Sequence, residues 1–280
     1  MSVAGADPAR PVDRGGLRAM QARLLARARQ PTPRDWLPVV MAGAEVGIAS
    51  PAVASFLAMG TPHFASIDHR LVLRDSALDA AGRTALLHDC ALRLRDAGLL
   101  RGWRDELLDV RPTPDESPLG AIERAACRAL GITTLAVHLN AFTPDDELIV
   151  ARRALHKQID PGLWDNLVGG MVPAGESEVQ ALGREAQEEA GLDLGALALT
   201  RGARVHVMRR VPEGFQSEIV QIFDAVLPAG IELRNRDGEV AAIEVRPVAA
   251  VLGAIERNEF TLESALVTLD ALLRKEATHG

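Results

Sequence analysis

At 280 residues the chain is long enough for two domains, each able to bury its own core. A charged fraction of 25% and a hydrophobic fraction of 48% exclude a disordered polymer, and no apolar run reaches membrane-spanning length. The net charge of -7 is unevenly shared, because sixteen arginines nearly balance fifteen acids up to residue 125, whereas fifteen basic residues face 23 acids beyond it.

The acidic half therefore suits a metal binder, and no basic stripe with interleaved aromatics offers a surface for extended nucleic acid. A small molecule is the expected partner. Cys90 and Cys127 lie 37 positions apart without a paired metal spacing and read as buried thiols, with no disulfide indicated. The N-terminal "MSVAGADPARPVDRGG" lacks the order of a secretory signal, so a cytoplasmic location is expected.

In chain order, Leu17, Met20, Leu24, Leu25 and Ala28 recur at helical spacing and predict an amphipathic helix that covers its own domain, stopped by Pro31 and Pro33. "LPVVMAGAEVGIAS" predicts a β-hairpin about Gly43. "SPAVASFLAM" predicts a helix opened by Ser50 and Pro51, and "FASIDHRLVLRD" extended chain. "TALLHDCALRLRDAGLL" predicts a packed helix ending near Gly98, with His88 on its surface. Three prolines in "VRPTPDESPLG" mark an interdomain connection, and "AIERAACRAL" predicts a helix at the boundary. Strands are expected in "ITTLAVHLNAF", "DELIVARR", "DNLVGGMV", "ARVHVMRRV", "SEIVQIFDAVL" and "EVAAIEVRP", and two helices close the chain.

Between the third and fourth of those strands lies a helix of about residues 177 to 190, opened by a capping box at Ser177 and Gln180 and stopped by Gly191. Leu182, Ala186, Val179 and Ala190 form its apolar stripe, and Glu185, Glu188 and Glu189 occupy the neighbouring sector. Like charges so close repel, and they sit where the helix dipole disfavours anions. Either they form a solvated acidic face or a divalent cation relieves them, and oxygen donors suit Mg²⁺ or Mn²⁺.

The surrounding spacing bears on that choice. Gly170, five residues, Glu176, seven residues, then Arg184, Glu185, Ala186, Gln187, Glu188, Glu189, Ala190, Gly191 and Leu192 resemble the Nudix box, with a small residue, Ala186, in its first aliphatic slot. "AVHLNAF", "IVARRALHKQIDPGLWDNLVGGMVPAGES" and "RDGEVAAIEV" further resemble the Nudix branch with an extra N-terminal domain of unknown function (DUF4743-like), which "GWRDELLDVR" and "AIERAACRALGI" are similar to. The resemblance implies an α/β (α+β) fold: a Nudix α/β/α sandwich with a mixed sheet over residues 121–280, preceded by a small α+β domain over 1–120.

It also implies hydrolysis of a phosphoanhydride in a small diphosphate compound, with thiamine diphosphate or its oxidised analogues expected and ADP-ribose or NADH as alternatives. Glu185, Glu188, Glu189 and the carbonyl of Gly170 would hold the divalent ion, while Arg184 and Glu176 would tie the loop to the helix. Among the residues themselves, Arg153 and Lys157, with Arg152 less favoured because neighbours on a strand point oppositely, are candidates for phosphate contact. Trp164 reads as a stacking platform or a core residue, Asn166 follows it, and His138 and Asn140 line the pocket or stay structural. Glu239 is the expected distal carboxylate and Glu218 its competitor.

Isopentenyl diphosphate isomerases share a related fold, but no cysteine stands near Asn166 here. A module that only binds nucleotides would have lost box glutamates, and none is lost. No nucleic acid and no membrane is expected, and a homodimer is left open.

Overall fold

The computed structural model describes residues 13 to 278. The N-terminal stretch read for targeting thus lies, through residue 12, outside the described residues.

Helix α1 (Arg14–Ala28) starts where the Asp13 carboxylate accepts from the Gly16 amide at 2.8 Å. A four-stranded sheet follows, made of β1 (Leu37–Met41), β2 (Ala44–Ala49), β3 (Phe64–Ile67) and β4 (Arg70–Leu73) in the order β2-β1-β4-β3. The hairpin between β1 and β2 turns on Ala42 and Gly43, both at positive φ, as a two-residue turn matched to strand twist requires. Helices α2 (Pro51–Gly60) and α3 (Ala80–Asp96) are capped by Ser50 and Asp79. They bury Val53, Leu57, Leu87, Cys90 and Leu94 in one core with the sheet.

The proline-rich stretch expected to connect two domains is instead the loop of a hairpin, β5 (Leu107–Val110) with β6 (Gly120–Glu123). Its prolines remove donors inside a turn. The expected boundary helix is shorter than its sequence suggested, because Gly120 to Glu123 pair with β5 and only α4 (Arg124–Ala129) is helical. Ala126, Cys127, Leu130 and Ile132 belong to the core of the first sheet. Chain crossing is close at this point: the Ile48 amide donates to the Leu130 carbonyl at 2.8 Å, and Gly131 takes φ +52° against Ile48.

The second sheet is mixed and seven-stranded. It contains β7 (Thr133–Phe142), β8 (Leu148–Arg153), β9 (Trp164–Asn166), β10 (Val168–Met171), β11 (Thr200–Val211), β12 (Gly214–Val226) and β13 (Val240–Arg246). The path runs β11-β12-β7-β8-β13, with β12 parallel to β7, β10 paired to β7 and β9 paired to β8. Side chains alternate along β7, so Val137, Leu139 and Ala141 pack beneath helix α5 (Glu178–Ala190). Ala136 and Phe142 meet the opposite layer of α6 (Val248–Glu256) and α7 (Leu262–Thr278). Two apolar clusters on opposite faces make the α/β/α sandwich.

Helix α1 does not cover the small sheet that follows it. Leu17, Met20, Leu24 and Ala28 pack into the core shared by α7 and β11, and Gln30 donates to the Met208 carbonyl at 2.7 Å. Amphipathic periodicity marks a buried face without saying which core buries it.

Candidate active site

Helix α5 carries the acidic sector, and both of its ends are fixed locally. Ser177 and Gln180 form the reciprocal capping box, and Gly191 stops the helix in the left-handed region at φ 63°. Ala181, Leu182, Ala186 and Ala190 are buried against β7 and β10, which sets the rotation of the helix and turns Glu185 and Glu188 toward a cavity of about 400 Å³. Small Ala186 fits because it is wholly buried beneath the sheet.

The positive group among the glutamates in this structure is Arg184. Its Nη1 donates to Glu185 Oε1 at 2.9 Å and to Glu188 Oε2 at 3.1 Å, its Nε lies 3.3 Å from a Glu176 oxygen, and its Nη2 reaches the Met171 carbonyl at 3.4 Å. One guanidinium therefore joins strand β10, the following loop and the helix. Glu189 is 7% exposed and accepts from the amide of Gly169, a residue of the cavity lining, at 2.9 Å. Among the described residues no three His, Cys, Asp or Glu side chains are gathered as a ready metal cage.

The donors nevertheless fit a hard divalent ion in kind. They are carboxylate oxygens on one wall, and Gly170 leaves room for them: a Cβ there would stand 2.1 Å from the Glu185 carboxyl carbon. Burial pushes the Glu185 carboxyl up to about 7 despite Arg184 beside it. Burial also raises Glu189 well above the carboxylate range, against the opposing Gly169 hydrogen bond and with help from the charges of Glu185 and Asp165. Such carboxyls favour either a proton or a cation.

The same cavity is lined by Arg153, Lys157, His138, Glu218 and Glu239. Arg153 gives Nη1 to Asp165 Oδ2 at 3.0 Å and two nitrogens to the Ile159 carbonyl, so it braces the β8–β9 loop. Lys157 is bonded to Glu239. Burial alone would raise Glu239, yet Lys157, with Arg104 and Arg124 nearby, holds it below its ordinary value. Burial and then Glu263 raise Glu218.

Six of the residues singled out by sequence are not in the cavity lining, the box residues Glu176 and Glu189 and four of the substrate candidates. Trp164 is 6% exposed in the α7-side core with Arg246 and Arg152 over its ring, the former at 3.8 Å from the centroid. Arg152 donates to the Gly162 carbonyl at 3.1 Å. Asn166 gives Nδ2 to Asn140 Oδ1 at 2.8 Å and to Thr268 Oγ1 at 3.1 Å, and its Oδ1 meets His138 Nδ1 at 2.8 Å. Asn140 continues to Asp224 and to the Val267 carbonyl. This buried chain fixes His138 at the cavity and ties β7, β9 and α7 together.

Sequence reading missed Arg104, Arg124 and Arg128, which reach the cavity from the first 130 residues, and Glu263 of α7, which lines it with its charge acting on Glu218. No local pattern marks them. Only the packing of the β5–β6 hairpin and α4 beside β12 brings the arginines there.

A "NUDIX domain" model matches residues 129–266, and "Domain of unknown function (DUF4743)" matches residues 19–134. The chain belongs to the Nudix superfamily. Its architecture is the branch with an N-terminal DUF4743 domain, and Nudix hydrolases generally use divalent metal ions.

Within this superfamily the chain is similar to "Nudix hydrolase 20, chloroplastic" of Arabidopsis thaliana, 33% identical over 69% of this chain and 53% of that protein. It is also similar to "Nudix hydrolase 24, chloroplastic" of the same plant, 33% identical over 65% of this chain and 51% of that one. The chain thus spans about half the length of these curated relatives. An isopentenyl-diphosphate Delta-isomerase of Leifsonia xyli is 31% identical over 50% of this chain and 77% of that enzyme. No helix among the described residues is long and apolar enough to cross a membrane.

Proposed function

We propose that this Nudix chain hydrolyses a phosphoanhydride bond in a small diphosphate compound, thiamine diphosphate or its oxidised analogues, giving the monophosphate and phosphate. The observation that carries the reading is the pairing of Glu185 and Glu188, one turn of α5 on one cavity wall, with cationic side chains in the same cavity.

Glu185, Glu188, Glu189 and the Gly170 carbonyl would hold Mg²⁺ or Mn²⁺. Such an ion supplies charge neutralisation at the departing phosphate and a water of lowered pKa. Arg184 keeps the two wall carboxylates in place through its bonds to both and to Glu176. Lys157 holds Glu239 ionised at the cavity, where that carboxylate accepts the proton of the attacking water. Glu218, raised by burial and Glu263, is the competing base.

A cysteine-dependent isomerase is disfavoured by both thiols. Cys90 and Cys127 are buried, and burial pushes each up to about 12, so neither is a thiolate near neutral pH. Incubation of purified protein with thiamine diphosphate, its oxidised analogues, ADP-ribose and NADH, each with Mg²⁺ or with EDTA, tests the reading. Metal-dependent release of phosphate and thiamine monophosphate supports it. Turnover of ADP-ribose or NADH alone replaces the substrate, and no product from any of them overturns the hydrolase.

A further inference from the structure

The segment ahead of the Nudix sheet touches the box loop directly. The Ala174 amide donates to the Leu107 carbonyl of β5 at 2.8 Å, and Asp115 of the β5–β6 loop pairs with Arg204 at 2.8 Å, which in turn pairs with Glu178 at the start of α5. At the neighbouring turn, Gly102 takes φ +73° and packs so closely on Gln158 that a Cβ would stand 2.7 Å from its Oε1. Residues from both halves therefore wall the cavity.

The cations of that cavity differ in what they already hold. Arg153 is spent on Asp165 and the Ile159 carbonyl, and Lys157 on Glu239. Arg184 is spent on three glutamates. Arg124 gives one terminal nitrogen to Glu106 at 2.7 Å. Arg104 gives its backbone amide to Glu123, and among the described residues its guanidinium has no hydrogen-bond or ion-pair partner. Both line the same cavity as Glu185, Glu188 and Glu239, and the charge of Arg104 acts on Glu239 while that of Arg124 acts on Glu185, Glu218 and Glu239.

Arg104 and Arg124 also border a smaller recess of about 120 Å³ whose lining mixes Leu108, Ile132, Met171 and Phe215 with Arg128, Glu213 and Glu218.

We propose that the N-terminal domain supplies the anion clamp of the site: Arg104, with Arg124, binds the phosphate oxygens of the diphosphate in the cavity that Glu185 and Glu188 also line. The inference rests on the hydrolase reading for its substrate class. It gives the extra domain a direct share in substrate binding, since guanidinium forks match phosphate oxygens in pairs.

The test uses the full chain and the Arg104→Ala, Arg104→Lys and Arg70→Ala variants. Arg70 is an exposed arginine of the same domain, outside the cavity. Titration with inorganic pyrophosphate in EDTA reads the clamp without metal. Wild type and Arg70→Ala bind, Arg104→Ala binds about tenfold or more weakly, and Arg104→Lys recovers part of the loss. With Mg²⁺ and thiamine diphosphate, Arg104→Ala raises KM by a similar factor and leaves kcat within about twofold.

Equal pyrophosphate affinity in wild type and Arg104→Ala, or no binding by wild type without metal, overturns the clamp even if hydrolysis is intact. Arg104-dependent binding without hydrolysis of any diphosphate supports the clamp and overturns the hydrolase reading instead.

Discussion

Arg184 Nη1 lies 2.9 Å from Glu185 Oε1 and 3.1 Å from Glu188 Oε2, so a single guanidinium bridges the pair of carboxylates that face the cavity. The same side chain reaches Glu176 and the Met171 carbonyl. Removing it leaves two partly buried acids without a partner and cuts the loop from the helix. Arg184→Ala is expected to lower stability by about 1–3 kcal/mol, measured by chemical denaturation, and to tighten the dependence of folding on added Mg²⁺. Unchanged stability would show that the network is incidental.

Gly170 separates a packing effect from a stability effect. The Cβ of an alanine would fall 2.1 to 2.6 Å from three atoms of the Glu185 side chain. Because those atoms end a flexible side chain, the fold survives by moving it. Gly170→Ala is expected to melt within a few degrees of wild type while metal-dependent turnover falls on the order of 10²-fold. Loss of turnover matched by loss of folding would argue against that reading.

The pH dependence follows from the raised Glu185 carboxyl. Its folded value of about 7 lies above the ordinary carboxylate range, so the folded state holds the proton more tightly than the unfolded chain does. That contribution is fully present below the unfolded value, near 4.5, and is lost as pH rises through about 7. Glu185→Gln cannot lose a proton there. The melting temperature of metal-free Glu185→Gln, relative to wild type, is expected to rise between pH 5 and pH 8. Mg²⁺ is expected to stabilise wild type more at pH 8 than at pH 5. A flat difference across that range would contradict the burial of this charge.

Asn166 links His138, Asn140 and Thr268 in the interior. Truncation strands several buried polar groups at once. Asn166→Ala is expected to cost about 2–3 kcal/mol and to raise KM through His138 without removing a wall carboxylate. A stability change below about 0.5 kcal/mol would show that the network carries no load.

Much of this architecture is written in local patterns. The capping box, the left-handed Gly191 and the apolar stripe through Leu182, Ala186 and Ala190 specify α5 within a single segment, and β-branched runs mark β7 and β12. What segments do not encode is which core a face joins. Leu17 and Leu24 announce a buried helix, yet only the tertiary fold sends α1 to α7 and β11. Trp164 is equally apt for a ligand or a core, and two arginines over its ring accompany the second. Arg104 and Arg124 carry no motif, because a hairpin folded against another sheet brings them to the cavity.

The proposed chemistry is tested most directly by comparing wild type with Glu188→Gln for Mg²⁺-dependent release of phosphate from thiamine diphosphate, with circular dichroism as the check on folding. Glu188 is the more exposed of the two wall carboxylates, at 47% against 15% for Glu185, so its loss of charge spares the core. A folded variant with turnover reduced on the order of 10²-fold or more is the expected result. A folded variant that turns over substrate as fast as wild type would contradict the assignment.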